Sequence, residues 1–155
     1  DRLKPKRIVV VSSAPQIRYP DCYGIDMAKL EGLVAFKATL ELLKERNLYH
    51  IVDEVYAKCK AQENYHDNDV VNYVTAIYEP FAPQEISDKI AEMLSSPEIN
   101  AEVKIIFQTV ENLHIACPKN LGDWYFTGDY PTPGGNRVVN KAFMNFYEGK
   151  DARAY

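Results

Sequence analysis

Side chains that could do chemistry are few and scattered in this sequence. The three histidines are far apart: His50, His66 and His114. None has a carboxylate at a metal-ligand spacing, so each is expected at the surface or at a helix end. Acidic groups such as Asp53-Glu54 and Asp67 with Asp69 are typical of helix starts and solvated helix faces. Neither a Gly-x-Gly-x-x-Gly motif nor a P-loop is present, so the residues themselves predict no self-contained catalytic or metal site.

One strand ending does indicate a ligand site. Residues 8–11 are four β-branched side chains without alternation, which is typical of a parallel strand buried on both faces. Ser12, Ser13 and Ala14 follow, and Pro15 ends the strand because it cannot donate to a β-ladder. In open α/β sheets, ligands bind just outside the carboxyl ends of the strands. We therefore expect a binding crevice after Ala14-Pro15.

Helices must carry most of the remaining chain. Apolar stripes predict helices through residues 30–43, 48–59, 70–78, 86–94 and 138–147. Asp26 is the expected N-cap of the first helix, and Pro83 suits the first turn of the fourth. Val103 to Phe107 is a second apolar strand, and Thr109 can cap a short helix after it. The order strand, helices, strand predicts a parallel pair, so the fold class is α/β, helix-rich, with a short parallel sheet.

Composition excludes several function classes. The hydrophobic content of 46% is ordinary for a globular protein, and 155 residues correspond to one domain. The net charge of −4, with lysines and arginines scattered, argues against nucleic-acid binding. No apolar run is long enough for a membrane span, so a cytoplasmic protein is expected. Cys22, Cys59 and Cys117 lack paired spacing, and each is expected to be a small buried hydrophobe.

Two separated stretches carry a family resemblance. The first contains Ser-Ser-Ala-Pro at 12–15, Tyr-Pro at 19–20 and Tyr-Gly-Ile-Asp-Met at 23–27, and the second is Phe-Thr-Gly-Asp-Tyr-Pro at 126–131. In this order they resemble glutamine phosphoribosylpyrophosphate amidotransferase (amidophosphoribosyltransferase), in the C-terminal portion of its phosphoribosyltransferase domain. The resemblance implies an enzyme of de novo purine biosynthesis, a glycosyltransferase and glutamine amidotransferase that converts glutamine and phosphoribosyl pyrophosphate to 5-phosphoribosylamine.

The resemblance also implies a domain organisation. Residues 1–155 are expected to be a single C-terminal fragment of a type I phosphoribosyltransferase-like lobe. Segments 1–43 and 83–135 are the family-like part, segment 44–82 is an inserted helical hairpin, and segment 136–155 is a C-terminal tail. The insertion would cap the lobe or extend a subunit contact.

The family's catalytic groups have no counterparts here, so the chain alone is expected to be inactive. The glutaminase of the family uses an N-terminal cysteine, whereas this chain begins with Asp1, and its phosphoribosyl pyrophosphate loop contains paired aspartates, which this chain lacks. In the whole enzyme, Mg²⁺ accompanies phosphoribosyl pyrophosphate. Part of the family holds an iron-sulfur cluster through cysteines at positions that are Asp21, Gly122 and Tyr125 here, so the resemblance implies no cluster and no metal in this chain.

The expected role is contact between domains or subunits. In the family, the Tyr-Gly-Ile-Asp stretch lies where two domains meet, which makes Tyr23, Gly24 and Asp26 candidates for interdomain coupling. Asp26 could contact a cation there, cap a helix, or do both. Ser12 and Ser13 are weaker candidates for lining the ammonia channel or the ribose side.

The expected partners are the upstream glutaminase and phosphoribosyl-binding parts of the same polypeptide and other copies in a homo-oligomer, without nucleic acid or membrane. Two alternatives stay open. One is a non-catalytic helical protein-interaction module, and the other is an unrelated small-molecule binder that uses the crevice after Ala14-Pro15.

Overall fold

Helices make up most of the fold, beside a two-stranded parallel sheet, in the computed structural model, which describes residues 4–21, 27–119 and 122–154. The strands are β1 (Arg7–Ser12) and β2 (Glu102–Phe107). The helices are α1 (Val34–Glu45), α2 (His50–Ala61), α3 (Pro83–Leu94), α4 (Val110–Ala116), α5 (Trp124–Thr127) and α6 (Pro133–Tyr147). Short 3-10 turns cover Leu30–Gly32, Asp67–Asp69 and Tyr73–Ile77. The predicted helix-rich α/β class is confirmed.

The two strands pair in parallel, as the element order predicts. Arg7 lies opposite Glu102 and Ser12 opposite Phe107, so the register runs the full length of both strands. The crossover between them contains α1, α2 and α3, and α3 packs against β2. Because the pair is parallel and in register, the carboxyl ends of both strands lie at the same edge of the sheet.

The burial expected for β1 is wrong. Val9, Val10 and Val11 are 48%, 50% and 69% exposed, although their types suit a strand covered on both faces. The physical reason is the lack of neighbours: in the described part of the chain the sheet has two strands, and β1 pairs with β2 alone. On β2, in contrast, Ile105 is buried in the core.

One core joins α1, α2, α3 and α6. Phe36 of α1 is fully buried and meets Phe143 and Phe146 of α6 edge to face, with ring centroids 6.3 and 4.9 Å apart. Segment 44–82 adds Val52 and Ile77 to the same core, each with no exposed surface. This segment therefore packs as part of the domain.

Several helix boundaries differ from the sequence pattern. Residues 73–77 form a 3-10 turn where an α-helix was expected, because the Asn72 side chain caps it through the Val74 N–H (3.1 Å) and Pro80 disfavours helix just beyond it. The first helix begins at Val34, after Gly32, so Leu33 occupies the N-cap position expected for Asp26. The last helix begins earlier than predicted, at Pro133, a residue suited to the first helical position.

Other helix starts agree with the sequence. Pro83 begins α3, and the Glu85 carboxylate accepts a hydrogen bond from the Ala82 N–H at 2.8 Å. Thr109 caps α4, since its hydroxyl oxygen accepts from the Asn112 N–H at 3.1 Å. None of the described helices is both long and apolar enough to cross a membrane.

Candidate functional site

A cavity of about 510 Å³ lies at the carboxyl ends of the two strands. Pro15 and Gln16 reach it just after β1, and residues 107–109 reach it at the end of β2. Arg18 and Tyr19 form another part of its wall, with Phe126 of α5 nearby. We call this cavity the crevice. Its position is the one that the strand ending predicts.

Ser12 and Ser13, the sequence candidates at this strand ending, do not line the crevice. The Ser12 hydroxyl donates to the Ala14 carbonyl at 2.9 Å and accepts from the Ala14 N–H at 3.2 Å. This local turn uses the side chain to end the strand. The channel or ribose-side role of both serines stays a prediction.

Gln16, which the sequence pattern did not single out, fixes the loop after β1 to the start of α3. The side chain is 4% exposed, and its Nε2 donates to the Pro83 carbonyl at 2.7 Å and to the Ser87 hydroxyl at 2.8 Å. Its Oε1 accepts from Arg18 Nε at 3.2 Å and Nη2 at 2.8 Å. Gln16 therefore uses both ends of its amide, and Arg18 is held in a defined orientation as a result.

Arg18 is further held by an aromatic partner. Its guanidinium lies over the Tyr78 ring, 5.4 Å from the centroid, and its backbone carbonyl accepts from the Tyr78 hydroxyl at 2.5 Å. Burial raises the pKa of Tyr78 well above its usual value, so the hydroxyl stays a neutral donor. A residue more than fifty positions away supplies this support, so no local sequence signal points to it.

The two stretches that carry the family resemblance, together with the residues directly beside them in the sequence, lie against each other. The N–H groups of Arg18 and Tyr19 both donate to the Tyr125 carbonyl, at 2.9 and 3.1 Å. Trp124 Nε1 donates to the Asp21 carboxylate at 3.1 Å, although the two residues are 103 positions apart. The Tyr130 hydroxyl also donates to the Pro20 carbonyl. We call residues 18–21 together with 124–130 the motif junction.

Gly128 is required at the centre of this junction. It has φ +81°, and its carbonyl accepts from Asn72 Nδ2 at 3.1 Å. A Cβ atom there would lie 2.8 Å from that nitrogen and 2.9 Å from Cζ of Tyr19. The glycine of the Phe-Thr-Gly-Asp stretch thus permits close packing against the Tyr-Pro stretch.

The positions that correspond to cluster cysteines in part of the family do not provide a cluster site. The Asp21 carboxylate accepts from the Trp124 indole, and Tyr125 contributes its backbone carbonyl to the junction. These groups and Gly122 supply no thiolate, so the donor set does not fit an iron-sulfur cluster. Within the described ranges, no group of three or more His, Cys, Asp or Glu side chains could hold a metal ion.

Two cysteines and one histidine have clear environments. Cys59 is buried, as expected, and burial raises the pKa of its thiol to about 12. Cys117 is exposed, which corrects the expectation of burial, because it follows the largely exposed short helix α4. His114 Nε2 pairs with the Asp123 carboxylate at 2.7 Å, a contact between residues nine positions apart that no sequence motif indicates.

The coupling candidates Tyr23, Gly24 and Asp26 lie outside the described residues, as does Cys22. On either side of them, the Asp21 N–H donates to the Met27 carbonyl at 3.0 Å. Asp21 and Met27, the described residues that flank the candidates in the sequence, are therefore next to each other in the fold.

Comparison with known proteins gives one partial match. Part of the chain is similar to an amidophosphoribosyltransferase. The relative is from Saccharomyces cerevisiae, and an alignment over 108 residues has 31% identity and covers 64% of this chain. It covers 21% of the relative, so the chain spans about a fifth of the length of that enzyme. No protein family matches as a sequence profile, and no solved structure matches significantly.

Proposed function

We propose that this chain is the C-terminal part of an amidophosphoribosyltransferase of de novo purine biosynthesis. In this role it supplies structural, interdomain or subunit contacts, and the catalytic groups belong to upstream parts of the polypeptide. The observation that carries the proposal is the motif junction, in which the Tyr130 hydroxyl donates to the Pro20 carbonyl and Gly128 packs against the Tyr19 ring. Contact between the two stretches supports the proposal, because it makes them parts of one packed unit although they are about a hundred positions apart in the chain.

Exposure of β1 supports a larger assembly. A strand with Val11 69% exposed is suited to pairing on its second edge and to burial under further elements. We propose that the upstream glutaminase and phosphoribosyl-binding parts supply these neighbours. We also propose a homo-oligomer and a cytoplasmic location, and both of these proposals rest on the resemblance to the family.

The proposed role of the segment at 23–26 is coupling between the two half-reactions. In such an enzyme, ammonia released from glutamine in one domain displaces pyrophosphate from the activated ribose in the other, with Mg²⁺ on the leaving pyrophosphate. Tyr23, Gly24 and Asp26 would then contact the opposite domain, and Asp26 would meet a cation there. We expect no iron-sulfur cluster in this chain, because Asp21, Gly122 and Tyr125 supply no thiolate ligands at the positions that the resemblance assigns to cluster cysteines.

A chimeric enzyme tests the proposal. This chain would replace the matching segment of the yeast enzyme, and phosphoribosylamine formation would be measured with glutamine and, separately, with ammonia. We expect activity with both nitrogen sources, because the segment is proposed to be structural. A folded chimera that is inactive with both would contradict the assignment.

Asp26→Asn in that chimera tests coupling. Removal of one charge-assisted contact is expected to lower the ratio of glutamine-dependent to ammonia-dependent rate by about tenfold. Asp69→Asn is the matched control, since it removes an exposed carboxylate far along the chain and should leave the ratio unchanged. Equal ratios in the two variants would exclude a coupling role for Asp26.

The gene itself offers a second test. If the assignment is correct, a strand that ends in paired acidic residues and a short turn will be encoded shortly upstream of Ile8. A different upstream sequence would favour the alternative of a non-catalytic helical interaction module.

A further inference from the structure

The crevice has the size and the walls of a small-ligand site. Its volume of about 510 Å³ falls within the range of about 300–1,000 Å³ typical of such sites. Tyr19, Phe107 and Phe126 give it apolar surfaces, and Val110 adds an aliphatic one. Entry of a ligand with an apolar or aromatic body would therefore be favourable, because it removes apolar surface from water.

Arg18 is a cation in this wall, and it has no counter-ion among the residues that the structure describes. No ion pair of Arg18 occurs in the described part of the chain, and its Nε and Nη2 donate to the neutral amide oxygen of Gln16. Its Nη1 has no protein acceptor among the described residues. A half-buried guanidinium that is already oriented loses little entropy when it binds an oxyanion.

Further donors line the same cavity. The Gln108 Oε1 accepts from the Thr109 N–H at 3.0 Å, which leaves its Nε2 as a donor. The Thr109 oxygen accepts from the Asn112 N–H, so its hydroxyl proton is also available. Glu111 is the one carboxylate among the described lining residues, and it is exposed, where water screens its repulsion.

Bulk electrostatics does not explain attraction of an anion to this place. The whole chain has a net charge of −4, so non-specific binding of anions is disfavoured. Any preference for anions in the crevice must come from its own groups. The oriented guanidinium of Arg18 is the strongest of these groups.

We propose that the crevice binds a small organic anion. The carboxylate or phosphate head contacts the Arg18 guanidinium, and the apolar body packs against Tyr19, Phe107 and Phe126. This inference concerns a site at the ends of both strands, and it stands whether or not the chain belongs to an amidophosphoribosyltransferase.

Matched aromatic probes test the proposal on the full chain. Benzoate, phenyl phosphate and neutral benzamide share a ring and differ in the head group, and their affinities can be measured by chemical-shift titration. We expect at least one anion to bind about tenfold more tightly than benzamide, with shifts at Phe107 and Phe126. The tighter of the two anions identifies a carboxylate or a phosphate ester as the natural head group. Equal affinity of benzamide, or no binding of either anion, would overturn the proposal.

Charge substitutions locate the head group. Arg18→Gln is expected to weaken anion binding about tenfold and to leave benzamide binding unchanged. The control Arg153→Gln removes the same charge at an exposed position outside the crevice and should change neither affinity. If Arg18→Gln does not fold, Arg18→Lys decides the question, because it keeps the charge and loses the fork geometry. Anion affinity that is unchanged in the variant used would contradict a contact with Arg18.

Discussion

Replacement of Gly128 by alanine tests the packing of the motif junction most directly. The residue has φ +81°, a conformation that costs an L-residue about 1–2 kcal/mol. Its added Cβ would also lie 2.8 Å from Asn72 Nδ2 and 2.9 Å from Cζ of Tyr19. Overpacking of this kind typically costs about 1–3 kcal/mol. The lower conformational entropy of the unfolded alanine variant offsets part of these two costs, so we expect the free energy of unfolding to fall by about 2–4 kcal/mol.

Neither neighbour of Gly128 can move away cheaply. Asn72 Nδ2 is bonded to the Gly128 carbonyl at 3.1 Å, and its Oδ1 accepts from the Val74 N–H at 3.1 Å. The Tyr19 ring packs edge to face on Tyr78, with centroids 5.3 Å apart. Relief of the contact would therefore break a buried hydrogen bond or disturb an aromatic pair.

Gly149→Ala is the matched control. Gly149 also has a positive φ of +66°, but no atom lies within 4 Å of its would-be Cβ. The free energy of unfolding of this variant should fall by about 1 kcal/mol, from backbone strain alone. Urea unfolding followed by circular dichroism gives both free energies, and each kcal/mol corresponds to about 2–4 °C in Tm for a chain of this size. Equal destabilisation of the two variants would refute the close packing of Gly128 at the junction.

Three further predictions concern helix glycines, thiols and an acidic residue. Gly135→Ala should destabilise the fold, because the added Cβ would lie 2.3 Å from a ring atom of Tyr130. Gly134→Ala has open space around its Cβ and should stabilise helix α6 by about 0.5–1 kcal/mol. Urea midpoints compare the two variants, and the opposite order of stability would contradict this packing. With Cys22 replaced by serine, a maleimide should modify Cys117 rapidly and Cys59 at the rate of unfolding, as followed by mass spectrometry; equal rates would contradict the burial of Cys59. Hydrogen bonds from a lysine and a tyrosine lower the pKa of Glu148 to about 2, so its stabilisation is present above its usual pKa of about 4.5 and is lost as pH falls toward 2. Glu148→Gln should therefore lower the urea midpoint at pH 7 and have a smaller effect at pH 3, and a constant difference would argue against this linkage.

The sequence was informative where burial follows a regular period. The stripes of α2 and α3 predict those helices because Val52, Val55, Ile86 and Ile90 each face the core. The parallel pairing of β1 with β2 follows from the order of the elements and the handedness of crossovers. The crevice at the strand ends follows from that pairing, since parallel strands end at a common edge.

What the sequence did not reveal depends on contacts between distant residues. Gln16 and Arg18 are ordinary polar residues in a loop until the fold brings Pro83, Ser87 and Tyr78 next to them. The exposure of β1 was mispredicted for a different reason: apolar composition states which environment a strand suits, and it does not state whether neighbours are there.

The open edge of β1 has a practical consequence for work with the purified chain. In the described part of the structure, one side of Ile8 to Val11 has no hydrogen-bonded neighbour, and these residues are apolar, β-branched and uncharged. Such an edge is a template on which a second molecule can add a strand, which is how soluble proteins begin to aggregate. Aggregation of the purified chain is therefore expected to increase with its concentration. Val9→Lys should reduce this aggregation, because like charges keep two such edges apart.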